Sequence, residues 1–351
     1  MKIGILTFHY SNHNFGAVLQ AYSLYKSIES LGHQAYIINF EPEADTIKDR
    51  LIAYLIKILG YQFEKFRKEH FPNMLMKTIT EEELKGLNNV LDAFVVGSDQ
   101  VWRYKGNKKL LCTYFFDFVD DEKRKISYAA SFGIDKWEAN EEISTEISRL
   151  IKRFQAVSVR EESGVTICRE NFGVNAVKVL DPTLLVDRSC FDELIKNTAQ
   201  NESRNYLAYM LLDETKQNET YFRKFALEKK LKFISIKGKR ISRSKNLFYY
   251  NHISKWLYYL KHANLVVTDS FHCVVFSIIF RKRFICLANN KRGTTRLLNL
   301  LKILNLEKYY FLGLKDFEEN YEDEPIDYDS VASILESEKR KSIEFLKTNL
   351  T

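Results

Sequence analysis

Glycine and proline are scarce in this chain: 13 and 4 of 351 residues. That argues against long disordered linkers and for two compact domains of roughly 150 residues each. Cysteine is sparse and unpatterned. Cys112, Cys168, Cys190, Cys273 and Cys286 are scattered, odd in number and without CxxC spacing, so no disulfide framework and no metal site is expected. The chain also lacks GxGxxG after its first apolar run and has no GxxxxGK[ST], which argues against a dinucleotide-dependent dehydrogenase and a P-loop NTPase. No stretch approaches the roughly 20 apolar residues of a membrane span; Leu51 to Tyr61 is interrupted by Lys57. The opening Met1-Lys2-Ile3-Gly4-Ile5-Leu6-Thr7 is too short for a signal peptide and reads as a buried strand. The expectation is a cytoplasmic protein, with its place at the inner face of the membrane left open.

Charge is abundant and unevenly distributed. The net charge is +7, with 53 Lys and Arg against 46 Asp and Glu. Lys229, Lys230, Lys232, Lys237, Lys239, Arg240, Arg243 and Lys245 follow one another with no acidic residue between, whereas 316–329 is strongly acidic. Such a basic edge faces an anion or is a solvated loop. Nucleic acid is not expected as a partner, because no nucleic-acid-binding motif accompanies the charge. Residues 46–72 read as an amphipathic helix whose basic face, Lys48, Arg50, Lys57, Lys65, Arg67 and Lys68, fits peripheral membrane contact or plain solvent.

Apolar periodicity alternates between strand and helix. Lys2 to Thr7 and Ala35 to Phe40 read as strands flanking a helix from Gly16 to Ser30, with Gly32 just past its end. Further strands are expected at Val90 to Val96, Ile126 to Ala130, Ala156 to Val159 and Ala176 to Leu180, with helices at 141–153 and 162–172. After a boundary near residue 190 a second β/α series follows. Its strands are Tyr206 to Leu211, Lys232 to Ile236, Leu265 to Thr268 and Arg283 to Leu287, and its helices 215–230, 253–262 and 271–280. A last helix near 330–348 is placed to pack back on the first domain. The expectation is α/β: two Rossmann-like, doubly wound domains, 1–189 and 190–351, facing across a cleft.

Polar residues cluster where these strands end. Leu265-Val266-Val267-Thr268-Asp269-Ser270-Phe271-His272 sets an imidazole in the first turn of a helix, with Asp269 or Ser270 as the N-cap. Such a corner collects ligands, anionic ones especially. The same pattern fits a capped helix whose histidine is merely packed. Cys273 beside it is a remote candidate nucleophile, since adjacent helical residues point in different directions. Asn14-Phe15-Gly16, Ser98-Asp99-Gln100 and Arg160 mark three more strand ends. An arginine there offers a fork for phosphate or carboxylate, and a histidine can move a proton near neutral pH. Each also has a plain explanation: Gly16 as a helix-start glycine, Asp99 as a turn cap, Arg160 as an ion-pair partner.

Six segments together resemble the polysaccharide pyruvyl transferase family. In order they are Asn14-Phe15-Gly16-Ala17-Val18-Leu19-Gln20-Ala21-Tyr22, Val96-Gly97-Ser98-Asp99-Gln100-Val101-Trp102, Ser127-Tyr128-Ala129-Ala130-Ser131-Phe132-Gly133, Val157-Ser158-Val159-Arg160-Glu161, Leu180-Asp181-Pro182-Thr183 and Thr268-Asp269-Ser270-Phe271-His272. The resemblance implies a GT-B-like fold and phosphoenolpyruvate as donor substrate, with no other cofactor. It implies a pyruvate ketal formed on two hydroxyls of a sugar, in a capsular or other exopolysaccharide, a cell-envelope glycolipid or a precursor carried on lipid or nucleotide. His272 matches the family histidine set against the donor and is assigned proton transfer. Arg160 matches an anion-binding arginine and would hold phosphate or carboxylate. Asp99 is taken as the base for the sugar proton. Asn14, Gly16, Gln20 and Ser98 would line the acceptor side, and Arg296 would add charge near the donor, with a core-capping role as its alternative. Some family members carry arginine two residues before the histidine; Ser270 stands there, which puts donor identity in question. The alternatives are a GT-B glycosyltransferase using a nucleotide sugar and a non-catalytic saccharide-binding protein on the same scaffold.

Overall fold

In the computed structural model, residues 1–40, 46–78, 80–108, 110–198, 205–242, 247–289 and 294–351 are described. Arg243 and Lys245 of the basic run, Lys291-Arg292-Gly293 ahead of Arg296, and the side chain of Lys48 lie outside them. Two compact units emerge. The first comprises Met1–Leu51, Glu64–Val186 and Glu336–Thr351, and the second Ile52–Phe63 and Asp187–Leu335. Ile52–Phe63 and Glu336–Thr351 are thus each set in the unit other than that of the residues preceding them.

The first unit holds six parallel strands: β1 (Lys2–Leu6), β2 (Gln34–Ile37), β3 (Ala93–Val96), β4 (Arg124–Ala130), β5 (Ala156–Val159) and β6 (Ala176–Lys178), in the order β2-β1-β3-β4-β5-β6. The order reverses between β1 and β3, and at such a switch point the loops leaving the two strands diverge and open a crevice. The second unit holds β7 (Tyr206–Met210), β8 (Lys232–Ser235), β11 (Leu265–Thr268), β12 (Arg283–Leu287) and β13 (Tyr310–Phe311), parallel in the order β13-β12-β11-β7-β8. Counting this sheet's strands in chain order gives the same plan, with its switch point between β7 and β11.

Apolar residues fill both faces of each sheet, as parallel strands require. Every residue of β3, β7 and β11 is buried. In the first unit Trp102 stacks on Phe115 with ring centroids 4.6 Å apart and packs on Phe132. Its indole N–H donates to the carbonyl of Tyr114 at 3.0 Å, so this motif tryptophan is a core residue. β4 and β5 show a register shift between Ser127 and Ala130. There Ser127 Oγ donates to the Ser158 carbonyl and Ser158 Oγ to the Ser127 carbonyl, at 2.9 and 2.7 Å, replacing ladder bonds that the shift removes.

Three expectations need correction. Residues 46–72 form two helices, Ile47–Leu59 and Tyr61–His70, parted at Gly60. Arg67 is not on a solvated basic face: it is buried, and its guanidinium donates to the Ser11 carbonyl at 3.2 Å and Asn12 Oδ1 at 2.8 Å, pinning the loop after β1. The basic run contains a hairpin rather than a loop, β9 (Gly238–Ser242) against β10 (Leu247–Tyr250). Gly238 has φ +137°, and a Cβ there would lie 2.2 Å from the Tyr249 carbonyl oxygen, so only glycine fits.

Candidate functional site

In the first unit the polar segments leaving the strand ends are bonded to one another. The loop after β1 is fixed by Thr7, whose Oγ1 donates to the Ser98 carbonyl at 2.6 Å. Gln20, in the helix Phe15–Ser30, donates from Nε2 to Thr7 Oγ1, the Phe8 carbonyl and the Ala17 carbonyl at 3.0, 3.2 and 2.8 Å. It is fully buried. The expectation that Gln20 lines an acceptor is therefore revised: its amide ties the helix to the end of β1. Asn14 is the N-cap of that helix, its Oδ1 accepting from the Ala17 N–H at 3.1 Å, and the residue is exposed. Gly16 is buried in the first turn.

The end of β3 comes close to that helix. A Cβ on Gly97 would lie 2.9 Å from Leu24 Cδ2 and 2.9 Å from Thr7 Cβ, so the motif glycine allows the approach. Ser98 Oγ donates to Asp181 Oδ2 at 2.9 Å. Arg160, at the end of β5, donates from Nη1 to the same oxygen at 2.7 Å and to Ser98 Oγ at 3.1 Å. Asp181 Oδ1 accepts from the Thr183 N–H and hydroxyl at 3.0 and 2.6 Å. Arg160 is only 4% exposed. Burial works to lower its pKa, and the charges of Asp181, Asp99 and Glu161 outweigh it, so the guanidinium is held above its ordinary value. Read from sequence as a holder of a donor anion, Arg160 meets a carboxylate of its own unit instead.

Asp99 adopts φ +84°, a region that costs a non-glycine residue energy and that clusters at functional sites. Its Oδ1 accepts from the Gln100 N–H at 2.8 Å, and its carbonyl accepts from the Ser131 N–H at 3.0 Å. Glu161, which sequence reasoning assigned no role, completes the cluster. Its Oε1 accepts from Ser131 Oγ, the Phe132 N–H and the Gly133 N–H at 2.8, 3.0 and 3.2 Å. Five sequence segments that are weak signals apart thus form one bonded network at the carboxyl ends of β1, β3, β4 and β5.

In the second unit β11 ends at Thr268, whose Oγ1 donates to the Met210 carbonyl of β7 at 2.8 Å and accepts from the Ser270 N–H at 3.0 Å. Ser270 is the N-cap of the helix Phe271–Ile279, and its side chain makes no capping bond. Asp269 is not the cap. Its carboxylate crosses the switch point, accepting from the Leu212 N–H and Asn289 Nδ2, each at 2.6 Å. Burial raises its pKa, and the bonds from Leu212 and Asn289 work against that rise. His272 is the second residue of the helix and 7% exposed. It stands beside first-turn N–H groups that the cap side chain leaves untouched, a setting that attracts anions.

Cys273 is fully buried, and burial pushes its thiol up to about 12. This removes it as a neutral-pH nucleophile. Arg296, the second residue of the helix Thr295–Ile303, is half-buried. Sequence reasoning missed Lys237 as an individual. It is 6% exposed just past β8, its ammonium lies 4.7 Å from the Phe248 ring centroid, and its charge acts on the Cys273 thiol. The only sequence signal was its place at a strand end inside the basic run. Among the described residues no group of three His, Cys, Asp or Glu is placed to hold a metal ion. No described helix is long and apolar enough to cross a membrane.

Two parallel-sheet α/β units with polar residues at their switch points define a GT-B-type fold. A UDP-GlcNAc 2-epimerase from Neisseria meningitidis bound to UDP-GlcNAc is similar over 100% of this chain and 99% of its own, at 10% identity and a TM-score of 0.56. A UDP-GlcNAc 2-epimerase from Methanocaldococcus jannaschii is similar over 99% of both chains, at 12% identity and TM-score 0.51. A glycosyltransferase from Rickettsia africae covers 98% of this chain and 93% of its own, at 12% identity and TM-score 0.50. No curated protein sequence matches this chain. Residues 14–291 match the polysaccharide pyruvyl transferase family, and the chain belongs to that family.

Proposed function

We propose that the protein transfers pyruvate from phosphoenolpyruvate to two hydroxyls of a sugar, forming a cyclic ketal on an envelope or capsular polysaccharide, or on its lipid- or nucleotide-linked precursor. The observation that carries this reading is His272: a nearly buried imidazole on the first turn of a helix, at the end of β11, in a chain of the pyruvyl transferase family.

His272 gives a proton to the methylene carbon of the enolpyruvate, making a methyl group and an electron-poor C2. One sugar hydroxyl adds to C2 and loses its proton to Asp99. The C2–O bond to phosphate breaks, and a second hydroxyl adds to C2 and closes the ring. The proton lost by one hydroxyl replaces the proton His272 gave, and that of the other leaves with hydrogen phosphate, so the reaction balances without an outside acid. The first-turn N–H groups after Ser270, with Lys237 and Arg296, hold the donor's negative charge; Ser270 adds a hydroxyl at the place where some family members have an arginine. Arg160 acts as a positioning residue, fixing Ser98 through Asp181. Asn14 and Gly16 bound the acceptor.

The test is phosphate release from phosphoenolpyruvate in the presence of a panel of glycan acceptors. His272→Ala should lower turnover roughly 10²–10⁴-fold, and Lys237→Met should raise KM for phosphoenolpyruvate more than it lowers kcat. Phosphoenolpyruvate alone, at about 100 times its Kd, should add roughly 2.7 kcal/mol to unfolding stability. Nucleotide release from a nucleotide sugar, with no phosphate from phosphoenolpyruvate, would instead make the protein a glycosyltransferase, in keeping with the UDP-GlcNAc-bound epimerase that shares its fold. Saccharide binding with neither release would make it a non-catalytic binding protein.

A further inference from the structure

The helix Ile47–Leu59 carries an uncovered apolar face. Ile47 is 78% exposed, Leu51 61%, Tyr54 64%, Leu55 45% and Ile58 50%. At 3.6 residues per turn these five fall within an arc of about 100°. Ile56 and Leu59, the half-buried residues of the helix, lie outside that arc. Residues 47–61 hold seven of the 15 large hydrophobic side chains that are exposed among the described residues, and the other eight are spread over the rest of the chain. Scattered exposure is ordinary, whereas a contiguous stripe marks a surface that something else covers.

We propose that this face lies in the headgroup layer of an anionic lipid membrane. The exposed Arg50 and Lys57 project from one margin of the apolar arc, where cations reach lipid phosphates while the stripe sits among the acyl chains. Tyr54 and Tyr61, both exposed, suit the membrane–water boundary. The chain's net charge of +7 favours the same surface. A second copy of the chain fits less well. A helix of 13 residues is about 20 Å long, so one stripe presents roughly 200 Å², against the roughly 800 Å² per partner that a stable interface buries. A membrane needs only one such helix, lying in its plane. The proposal is independent of the donor and of His272.

Co-sedimentation of the full chain with vesicles of phosphatidylcholine, with or without a third of phosphatidylglycerol, tests it. The chain should pellet with the anionic vesicles and stay largely in solution with the neutral ones. Leu51→Glu/Leu55→Glu/Ile58→Glu should abolish pelleting while leaving the thermal melting temperature unchanged. Arg50→Gln/Lys57→Gln, a purely surface change that serves if the triple variant misfolds, should lower the partition coefficient roughly 30-fold. Raising the salt towards 1 M should do likewise, as screening shortens to about 3 Å. Equal pelleting of wild type and the charge variant with anionic vesicles overturns the proposal. So does failure of the wild type to pellet, including the case of a dimer in solution that the triple variant makes monomeric.

Discussion

Arg160 and Asp181 show how a buried charge changes the meaning of a motif. A guanidinium at a strand end reads from sequence as an anion clamp, but here its Nη1 stands 2.7 Å from Asp181 Oδ2 and both side chains are almost fully buried. Removing one partner of such a pair strands the other charge away from water, whereas removing both leaves only a packing change. Asp181→Ala should therefore cost about 3–5 kcal/mol of stability by urea unfolding, and Arg160→Met a comparable amount. The double variant should cost clearly less than the sum. Simple addition of the two losses would show that the ion pair is not the unit holding Ser98. The residue-level chemistry was legible only in part. Arg160, Ser98, Asp99 and His272 stood out because polar residues follow apolar runs, but Glu161, Asp181 and Thr7 carry the network's bonds and look ordinary in sequence. Their partners lie as far as 83 and 91 positions away, a separation that no local pattern encodes.

Elements were more legible than their junctions. Parallel strands buried on both faces give continuous apolar runs, so β3, β5, β11 and β12 could be read within a few residues, and Gly32 marked a helix end that the structure confirms with φ +84°. The β9–β10 hairpin was hidden because its alternating charges look like a solvated tract; what makes it a hairpin is the clash-free close approach at Gly238. The helix Tyr61–His70 was read as one face of cations, yet Arg67 turns inward and His70 packs its ring 4.3 Å from Phe66 and 5.8 Å from Tyr22. Burial lowers the His70 pKa below its ordinary 6.5, nearby Lys26 adds to the effect, and Glu69 opposes it. The folded state thus prefers the neutral ring. Its contribution to stability is complete above pH 6.5 and is lost as the pH falls through the lower folded value. Thermal melts from pH 7.5 down to 5 should show wild type losing melting temperature relative to His70→Gln, with the difference opening only below about pH 6.5. Parallel curves across that range would mean the ring is solvated in the folded state.

At the scale of the molecule, one strand order used twice explains where the chemistry-bearing residues fall. In each unit the first and third strands of the sheet flank the reversal, and in each the polar segments leave those two strands: Thr7 with Ser98 and Asp99 in one, Leu212 and Asp213 with Asp269 to His272 in the other. The alternation of strand and helix made two such sheets predictable; the place of Ile52–Phe63 in the second unit was not, because a chain crossing leaves no mark on periodicity. The last 16 residues, Glu336–Thr351, belong to the first unit. Ser342 Oγ accepts the Leu180 N–H at 3.0 Å, Arg124 donates to the Asn349 carbonyl at 3.0 Å, and Leu346 and Leu350 are fully buried. The Leu180 amide adjoins Asp181, so this terminal segment helps hold the Arg160 network in place. Leu346→Ala and Leu350→Ala should each cost roughly 2–5 kcal/mol. Ser342→Ala should cost only about 1 kcal/mol but should speed hydrogen exchange at the Leu180 amide selectively, while amides of β7 and β11 keep their protection. Uniform loss of protection across both sheets, or none at Leu180, would show that the C-terminal segment does not stabilise the first unit in this way.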